Sequence, residues 1–318
     1  MLTIAAGIDV GQKYLDVGLA PLGQTFRVRN GQEGIETVLT RLRQAGIVRV
    51  LLEAIGPYAH GVAYALAQAG FEVGIVNPQR IKSFRAAEGS RAKTDRLDAG
   101  LIARFALVMR EAIRPLPTLD QLALKALSLR RRQLAEMIAM EKTRLKLALE
   151  PLLIASHRSA IAALSAECKT IEAELDRRLA ADAALRRKRE ILVSVPGIGP
   201  RIASVLLTDL PELGSTDRKA IASLAGLAPH VSQSGNMPAR AAIAGGRPCV
   251  RTALYLAALV ASRHNRVLKA EYQAMRMSGK AAKVALIAIA RKIVVMLNAL
   301  VKSDTLYEAT RLQNAPPA

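Results

Sequence analysis

The sequence contains few residues of several types, and each shortage argues against a class of protein. Its 318 residues include no Trp and only 4 Phe. Proteins at membrane surfaces anchor themselves with such rings beside a basic face, and non-specific single-strand binders stack bases on them. The only cysteines, Cys168 and Cys249, are too far apart and too few for a disulfide framework or a zinc ribbon. Membrane-surface binding, base-stacking platforms and structural zinc are therefore disfavoured.

Acidic residues are scarce relative to basic ones. Lys and Arg number 46 against 26 Asp and Glu, which gives a formal charge of +20 at pH 7. Such a surplus favours a polyanionic partner, and nucleic acid is the first candidate, with contacts mainly to phosphates. A basic but merely soluble surface, or attraction to anionic lipid, explains the same surplus, so composition alone leaves the partner open.

The sequence also lacks a signal-peptide pattern and a long uninterrupted apolar run. No basic segment or cleavage motif precedes the first strand pattern. The most apolar stretch, residues 284–301, contains Arg291 and Lys292, and we expect these cations to divide it into halves too short to cross a bilayer. We therefore predict a cytoplasmic protein without a membrane partner.

Residues 1–116 alternate short β-rich runs with amphipathic segments, which predicts an α/β domain. Strands are predicted over residues 3–9, 15–20, 25–29, 48–52 and 72–76, and helices over residues 34–44, 61–69 and 95–110. Glycine-containing turns between the first three strands suit an antiparallel meander. Three antiparallel strands followed by alternating helices and strands are typical of a ribonuclease-H-like domain.

Strand signals vanish between residues 117 and 189. In residues 117–190, apolar side chains recur at alternating spacings of three and four, which predicts two long antiparallel helices that act as a spacer or in self-association. Residues 191–303 are predicted to form a mostly helical third domain with Gly and Pro turns, and residues 304–318 a tail.

Four carboxylates form the first candidate site. Asp9 and Glu53 are predicted at the ends of two strands, and Asp95 and Asp98 share one face at the start of a helix. Carboxylates gathered at one sheet edge repel one another unless a divalent cation neutralises them, and oxygen ligands suit Mg²⁺, with Mn²⁺ as a substitute. Two ions roughly 4 Å apart can activate a nucleophile and stabilise the leaving oxygen of a phosphodiester. The set predicts a metal-dependent enzyme that processes DNA strands.

Each of these carboxylates also has a structural explanation. Asp95 suits a helix N-cap, and Asp98 is favoured in a first turn by the helix dipole. Asp9 suits a turn between hairpin strands. Only Glu53, directly after an apolar strand, is unexpected as a solvated side chain. The order of the four along the predicted fold, rather than any one of them, indicates a metal site.

A glycine-rich segment in the last third is a candidate nucleic-acid contact. Residues 194–203 resemble a helix-hairpin-helix loop, in which Gly197 and Gly199 let backbone N–H groups approach a phosphate beside Arg201. The alternative is a glycine turn between packed helices. In a chain of this charge we favour the phosphate contact.

A polar loop over residues 232–236 contains Ser234 before a glycine, which by composition is an ordinary turn residue. No His/Asp pair visible in the sequence activates its hydroxyl. Three cations follow, Arg240, Arg247 and Arg251, and they suit either a clamp for phosphoryl transfer or ordinary contacts with the DNA backbone.

Together these residues resemble the insertion sequence 110 family of transposases, whose members are described as RNA-guided DNA recombinases. The matching motifs follow the family's order over nearly the whole chain, from Gly7 to about Leu300. They are Gly7-Ile8-Asp9, Glu53-Ala54 with Gly56 and Tyr58, Asn77-Pro78, Lys93-Thr94-Asp95 with Asp98-Ala99, Pro196-Gly197-Ile198-Gly199, Ala225-Gly226-Leu227 with Pro229, Ser234 and Gly235, and Arg251 with Ala253-Leu254-Tyr255.

The resemblance implies a composite active centre. The family's N-terminal domain is similar to the Holliday-junction resolvase RuvC, and its Asp-Glu-Asp-Asp tetrad falls on Asp9, Glu53, Asp95 and Asp98. Its C-terminal domain carries a serine nucleophile, which falls on Ser234 and implies a covalent phosphoserine intermediate with DNA.

The resemblance also implies partners. They are DNA, a guide RNA from the element, and further copies of the chain in a dimer or tetramer, in which one subunit's acidic domain meets another's serine domain. Lys93, inside the motif of the third carboxylate, is a candidate nucleic-acid contact. Asn236-Met237-Pro238 departs from the Ser- and Arg-containing stretch of some members, which affects the loop rather than the serine.

Three alternatives remain open from the residues. A metal-only nuclease or junction resolvase would use the carboxylates without a covalent serine step. An actin-like or sugar-kinase-like ATPase would use residues 7–11 as a phosphate-binding hairpin, but no second such loop follows and the charge stays unexplained. A non-catalytic nucleic-acid-binding protein would keep a decayed acidic site.

Overall fold

The structure is a computed structural model that describes residues 4–53, 58–89, 95–109, 116–232 and 240–308. For residues 95–96, 230–232 and 240–241 the description covers the backbone alone. Contacts divide the chain into two compact units, Met1–Thr118 and Leu119–Ala318. The predicted further division of the second unit at residue 190 stays a prediction.

The first unit is a mixed five-stranded sheet with helices on both faces. Its elements are β1 (Ala5–Val10), β2 (Tyr14–Ala20), β3 (Gln24–Arg29), α1 (Gln32–Gln44), β4 (Arg49–Glu53), α2 (Tyr58–Gln68), β5 (Glu72–Val76), α3 (Pro78–Ala87) and α4 (Asp95–Val108). The strand order is β3-β2-β1-β4-β5. The first three strands are antiparallel, while β1, β4 and β5 are parallel. The predicted α/β character of this region is confirmed.

Two hydrophobic cores lie on opposite faces of the sheet. Ile8, Val50 and Leu52 pack with side chains of α1 and α2 on one face. Ala5 and Leu51 pack with α3 and α4 on the other. Because successive strand residues point to opposite faces, β1 and β4 are buried on both sides. Their carboxyl ends therefore emerge side by side between two layers of helices.

Helix α3 is absent from the sequence prediction. Only Ile81 of its ten residues is buried, so no amphipathic stripe marks the helix. Its start has a local signal, since the Asn77 side chain accepts a hydrogen bond from the Gln79 N–H at 2.8 Å and Pro78 occupies the first turn. The Asn-Pro pair is therefore a helix-capping sequence.

The second unit is mostly helical, as predicted. Its elements are α5 (Leu119–Leu147), α6 (Pro151–Ala181), α7 (Ala183–Val193), α8 (Pro200–Asp209), α9 (Arg218–Leu224), β6 (Pro229–Ser232), β7 (Arg240–Ile243), α10 (Pro248–His264), α11 (Arg266–Met277) and α12 (Ala282–Lys302). Contacts of Arg130 with Glu167 and of Glu141 with His157 show that α5 and α6 run antiparallel. The predicted pair of long helices is thus confirmed.

The expectation that Arg291 and Lys292 divide the most apolar stretch is wrong. Residues Ala282–Lys302 form one continuous helix, and among the described residues it alone is long and apolar enough, by length and composition, to cross a membrane. Its buried side, which includes Ile289 and Ile293, packs in the core of the second unit, while both cations are exposed. The two cations fit one helix because they occupy the side away from that core.

A two-stranded ribbon interrupts the helices of the second unit. Strands β6 and β7 pair antiparallel, and Ser232 at the end of β6 lies opposite Arg240 at the start of β7. The sequence prediction contains neither strand. Ser234 belongs to the connection between them, residues 233–239, which lies outside the described residues.

Candidate active site

A row of charged residues crosses three antiparallel strands of the first unit. Asp9 of β1 pairs in register with Asp16 of β2, which pairs with Arg27 of β3. Residues directly opposite in antiparallel strands place their side chains on the same face. Arg27 holds the buried Asp16 with two hydrogen bonds, Nε to Oδ1 and Nη2 to Oδ2, both 2.9 Å long. Asp9 therefore has a second carboxylate beside it that already carries its own counter-ion.

The glycines of β1 and β2 identify the face on which this row lies. A Cβ atom on Gly7 would meet the Ala99 carbonyl oxygen of α4 at 2.5 Å, and one on Gly18 would meet the Ala99 carbonyl carbon at 2.6 Å. Both positions thus face α4. Since strand side chains alternate, Asp9 and Asp16, two residues away from these glycines, face the same side.

Glu53 lies on this face as well. It is the last residue of β4, which runs parallel to β1 with Leu51 opposite Gly7. Leu51 and Glu53 are two residues apart, so both point to the side that α4 covers. Asp9 and Glu53 are half-buried, and they occupy neighbouring strands at the same edge. The parallel register of β1 and β4 thus brings the ends of these two strands together, as the sequence predicts.

Asp98 lies in the first turn of α4, directly before Ala99. Its side chain is buried, with 7% of the residue exposed, and one carboxylate oxygen lies 2.5 Å from Nη2 of Arg85 on α3. Asp95 begins the same helix, but its side chain lies outside the described part of the structure. Within the side chains that are described, no group of three or more His, Cys, Asp or Glu is close enough together to hold a metal.

Two further contacts fix α3 against α4 and so place Arg85. The rings of Phe84 and Phe105 meet edge to face with centroids 5.3 Å apart. Arg104 binds Glu88 with two hydrogen bonds of 2.8 and 3.0 Å, and this hydrogen bonding holds the pKa of Glu88 below its usual value. Both contacts are specific to the packed pair of helices.

Sequence reasoning missed Asp16, Arg27 and Arg85. The first two had a signal, because Asp16 faces Asp9 once the first two strands are joined by their short turn, and an Asp within an apolar strand needs a partner. Arg85 had none, since it belongs to the helix that the sequence did not reveal.

The predicted helix-hairpin-helix loop is not confirmed. Gly197 has φ +107° and packs on α10, where an added Cβ would lie 2.9 Å from the Cβ of Ala261. This contact supports the alternative of a glycine turn between packed helices. Gly199 is the N-cap of α8, and Arg201 pairs with Glu172 at 3.1 Å. Phosphate binding by these three residues stays a prediction.

Two of the three predicted clamp arginines have internal partners. Arg247 binds both carboxylate oxygens of Glu212 at 2.6 Å and donates to the Asp209 carbonyl at 3.0 Å. Arg251 donates to the carbonyls of Gly226 and Gly245 at 3.3 and 3.0 Å. These contacts explain both arginines by the packing of the second unit. The side chain of Arg240 and all of Lys93 lie outside the described residues.

The close approach of α4 to the sheet gives a stability prediction. We expect Gly18→Ala to lower the free energy of unfolding by about 1–3 kcal/mol, because the new methyl group meets helix backbone that cannot rotate away. Urea denaturation measures this change. Gly61→Ala in α2 is the matched control, since no heavy atom lies within 4 Å of its added Cβ, and it should be neutral or stabilise by up to about 1 kcal/mol. Equal stability of the two variants would contradict the packing of α4 on β2.

Comparison with known proteins gives matches along most of the chain. Residues 6–153 match a family model described as a transposase, and residues 189–273 match one described as the transposase IS116/IS110/IS902 family. A pilin gene-inverting protein of Moraxella bovis is 25% identical over 312 residues, which cover 95% of this chain and 97% of that protein. The pilin gene-inverting protein of Moraxella lacunata is 26% identical over 312 residues, with the same 95% and 97% coverage.

Two other matches are partial. A protein of insertion element IS110 from Streptomyces coelicolor is 29% identical over 160 residues, 50% of this chain and 38% of that protein. Among solved structures, T. thermophilus RuvC in complex with a Holliday junction substrate is 20% identical with a TM-score of 0.28, and the match covers 36% of this chain and 100% of that one.

The two family matches cover both units and name one activity, so the chain is a DNA transposase or recombinase. It belongs to the IS110 family of transposases. The resemblance seen in the sequence motifs is therefore confirmed, and an actin-like ATPase is no longer an alternative.

Proposed function

We propose that this transposase cleaves and rejoins the DNA of a mobile element with a Mg²⁺-binding tetrad, Asp9, Glu53, Asp95 and Asp98, and with Ser234 as the nucleophile. One observation supports the tetrad most directly. Asp9 and Glu53 lie on one face of neighbouring strands, and α4, which carries Asp98, covers that face.

The donor set fits a divalent cation. Carboxylate oxygens are the ligands that Mg²⁺ prefers. Asp98 already binds a cation in this structure, the Arg85 guanidinium, and a buried carboxylate requires such neutralisation. Bound Mg²⁺ would supply positive charge where a phosphodiester develops negative charge.

The chain's own residues have distinct tasks in this proposal. Arg27 neutralises the buried Asp16 carboxylate beside Asp9. Asp16 therefore adds little to the negative charge that would attract a metal ion to the proposed tetrad. The close packing of α4 on Gly7 and Gly18 sets the distance between helix and strand carboxylates. On this proposal, a displacement of this helix by about 1 Å would cost about 10²-fold in rate.

The covalent step conserves phosphodiester bonds. The Ser234 oxygen forms a bond to phosphorus while the bond from phosphorus to one sugar oxygen breaks. The serine proton is given up, and the released sugar oxygen takes up a proton. Attack by a DNA hydroxyl on the phosphoserine reverses these changes, so rejoining needs no nucleotide cofactor. Relatives named as pilin gene-inverting proteins support rejoining as well as cleavage.

The guide RNA and a homo-oligomer, dimer or tetramer, belong to the same proposal. The family membership and the charge of +20 support them. To test the RNA, the protein is purified from its host, and any co-purifying RNA is sequenced and compared with DNA flanking the gene. A matching RNA is expected, and recovery of none would contradict RNA guidance.

The Arg85–Asp98 pair gives a metal-binding prediction. Because the guanidinium competes with a metal for Asp98, we expect Arg85→Ala to bind Mn²⁺ or Mg²⁺ about tenfold more tightly, equal to about 1.4 kcal/mol. Titration calorimetry measures this without any activity. Arg80→Ala is the control, because it removes the same charge from α3 but Arg80 lies over the Phe105 ring. Unchanged or weaker metal binding by Arg85→Ala would show that Asp98 is not a ligand.

A further inference from the structure

The end of α10 and the helices α11 and α12 carry a large excess of positive charge. Residues 263–302 contain nine Lys and Arg side chains and a single acid, Glu271. Glu271 is paired with Lys292 at 2.7 Å. A surface of this composition has almost no internal counter-charge, which sets it apart from ordinary mixed-charge surfaces.

The long helices α5 and α6 of the same unit differ from this segment, because several of their basic residues have acidic partners. The run Arg130 to Arg132 on α5 is neutralised internally. Its three partners are Glu167, Glu172 and Asp209, at 2.7, 3.5 and 2.7 Å. The charge of +20 is therefore not spread evenly over the described residues.

Helix α11 concentrates its cations on one side. Arg266, Lys269 and Arg276 are exposed, whereas Leu268 is buried and Met275 packs against the core. At 3.6 residues per turn the three cations lie within about 80° of one another, on the exposed side of the helix. Arg276 also donates a hydrogen bond to the Lys280 carbonyl, which fixes the turn after the helix. Lys280 and Lys283 in that turn and the start of α12 are exposed as well.

The spacing suits a nucleic-acid backbone. Arg266 and Arg276 are separated by about 15 Å along the helix axis. Duplex DNA carries one phosphate charge per roughly 1.7 Å of its axis, so several phosphates lie within reach of this length. The single ring on α11, Tyr272, packs against the core, so the exposed side has no platform for stacked bases.

We infer that this basic face, defined by Arg266, Lys269 and Arg276 with Lys280 and Lys283, binds the phosphate backbone of double-stranded DNA without reading its sequence. The inference goes beyond the proposed chemistry, because it needs neither the tetrad nor Ser234. It also differs from the clamp predicted at Arg247 and Arg251, whose guanidinium groups have internal partners.

The test compares two triple variants of the full chain that lose the same charge. Arg266→Gln, Lys269→Gln and Arg276→Gln are combined in one protein, and Lys125→Gln, Lys142→Gln and Lys146→Gln, all exposed on α5, in the control. Binding to duplexes of two unrelated sequences is measured over a range of salt concentrations. Each lost phosphate contact reduces the slope of log K against log salt by about 0.9, so the α11 variant should lose about 2 to 3 and the control should not change.

Several outcomes would overturn the inference. They are an unchanged slope, an equal loss in the control, a loss confined to one DNA sequence, or a loss seen with duplex RNA but not with DNA. Circular dichroism verifies that the variants fold. If the triple variant does not, Lys269→Gln alone should reduce the slope by about 0.9, and no reduction would again overturn the inference.

Discussion

Asp9→Asn is expected to reduce cleavage of DNA carrying the element's ends by about 10³-fold or more, while leaving DNA affinity nearly unchanged. The substitution removes a charge and a proposed oxygen ligand from the β1 end of the charged row but keeps the shape of the side chain. Interactions that stabilise developing charge at an active site are each worth about 10²–10³ in rate. Cleavage of end-labelled DNA at saturating Mg²⁺ and binding at equilibrium measure the two effects separately.

Glu33→Gln is the matched control for Asp9→Asn. Glu33 is exposed in the first turn of α1, the helix whose buried side chains pack on the other face of the sheet. It removes the same charge without touching the face of α4, so cleavage should stay within about twofold of the unchanged protein. If Asp9→Asn cleaved DNA as fast as Glu33→Gln, the carboxylates of this face would have only a structural role.

Ser234→Ala is expected to reduce the rate of strand transfer by about 10⁶-fold and to remove any covalent protein–DNA adduct. Loss of a nucleophile costs about this much when no other group replaces it. The adduct is sought by denaturing electrophoresis of protein incubated with labelled DNA and Mg²⁺. DNA binding should survive, since the substitution removes one hydroxyl from a basic protein.

Ser232→Ala is the control for the nucleophile, because it removes a hydroxyl from the end of β6, two residues earlier in the same hairpin. It should retain both adduct and strand transfer.

Full cleavage by Ser234→Ala with no adduct in any variant would support instead a metal-only nuclease or junction resolvase. In that case Asp9→Asn would still be inactive, so the two predictions separate the two halves of the proposed centre. A non-catalytic protein with a decayed site would bind DNA equally well with and without Mg²⁺ and never cleave it.

The first unit could be predicted well because its signals are local. Strand β5 has the predicted bounds, and the other four strands differ from prediction by one or two residues at one or both ends. Alternating or continuous apolar residues mark such strands in the sequence. Helix α3 and the strands β6 and β7 were not predicted, because α3 buries a single residue and each of the two strands has only four residues.

The sequence prediction of the metal site names four carboxylates, and it names none of the arginines that the structure pairs with acids of the first unit. An acid at a strand end or in a first helical turn can be recognised from the strand and helix boundaries that the sequence predicts. The partners of Asp16 and Asp98 are Arg27, one strand away, and Arg85, on a helix without a pattern. For the same reason, no sequence signal distinguished Arg247, which is held by Glu212, from the exposed cations of α11.

By itself the sequence determined the α/β plan of the first unit, the helical nature of the second and the family. Each of these follows from periodicity, motif order or charge counted along the chain. The tertiary structure alone decided which charges are neutralised within the protein and which remain for a partner. Ion pairs join residues distant in the sequence, such as Arg132 and Asp209, and form only when packing has brought their helices together.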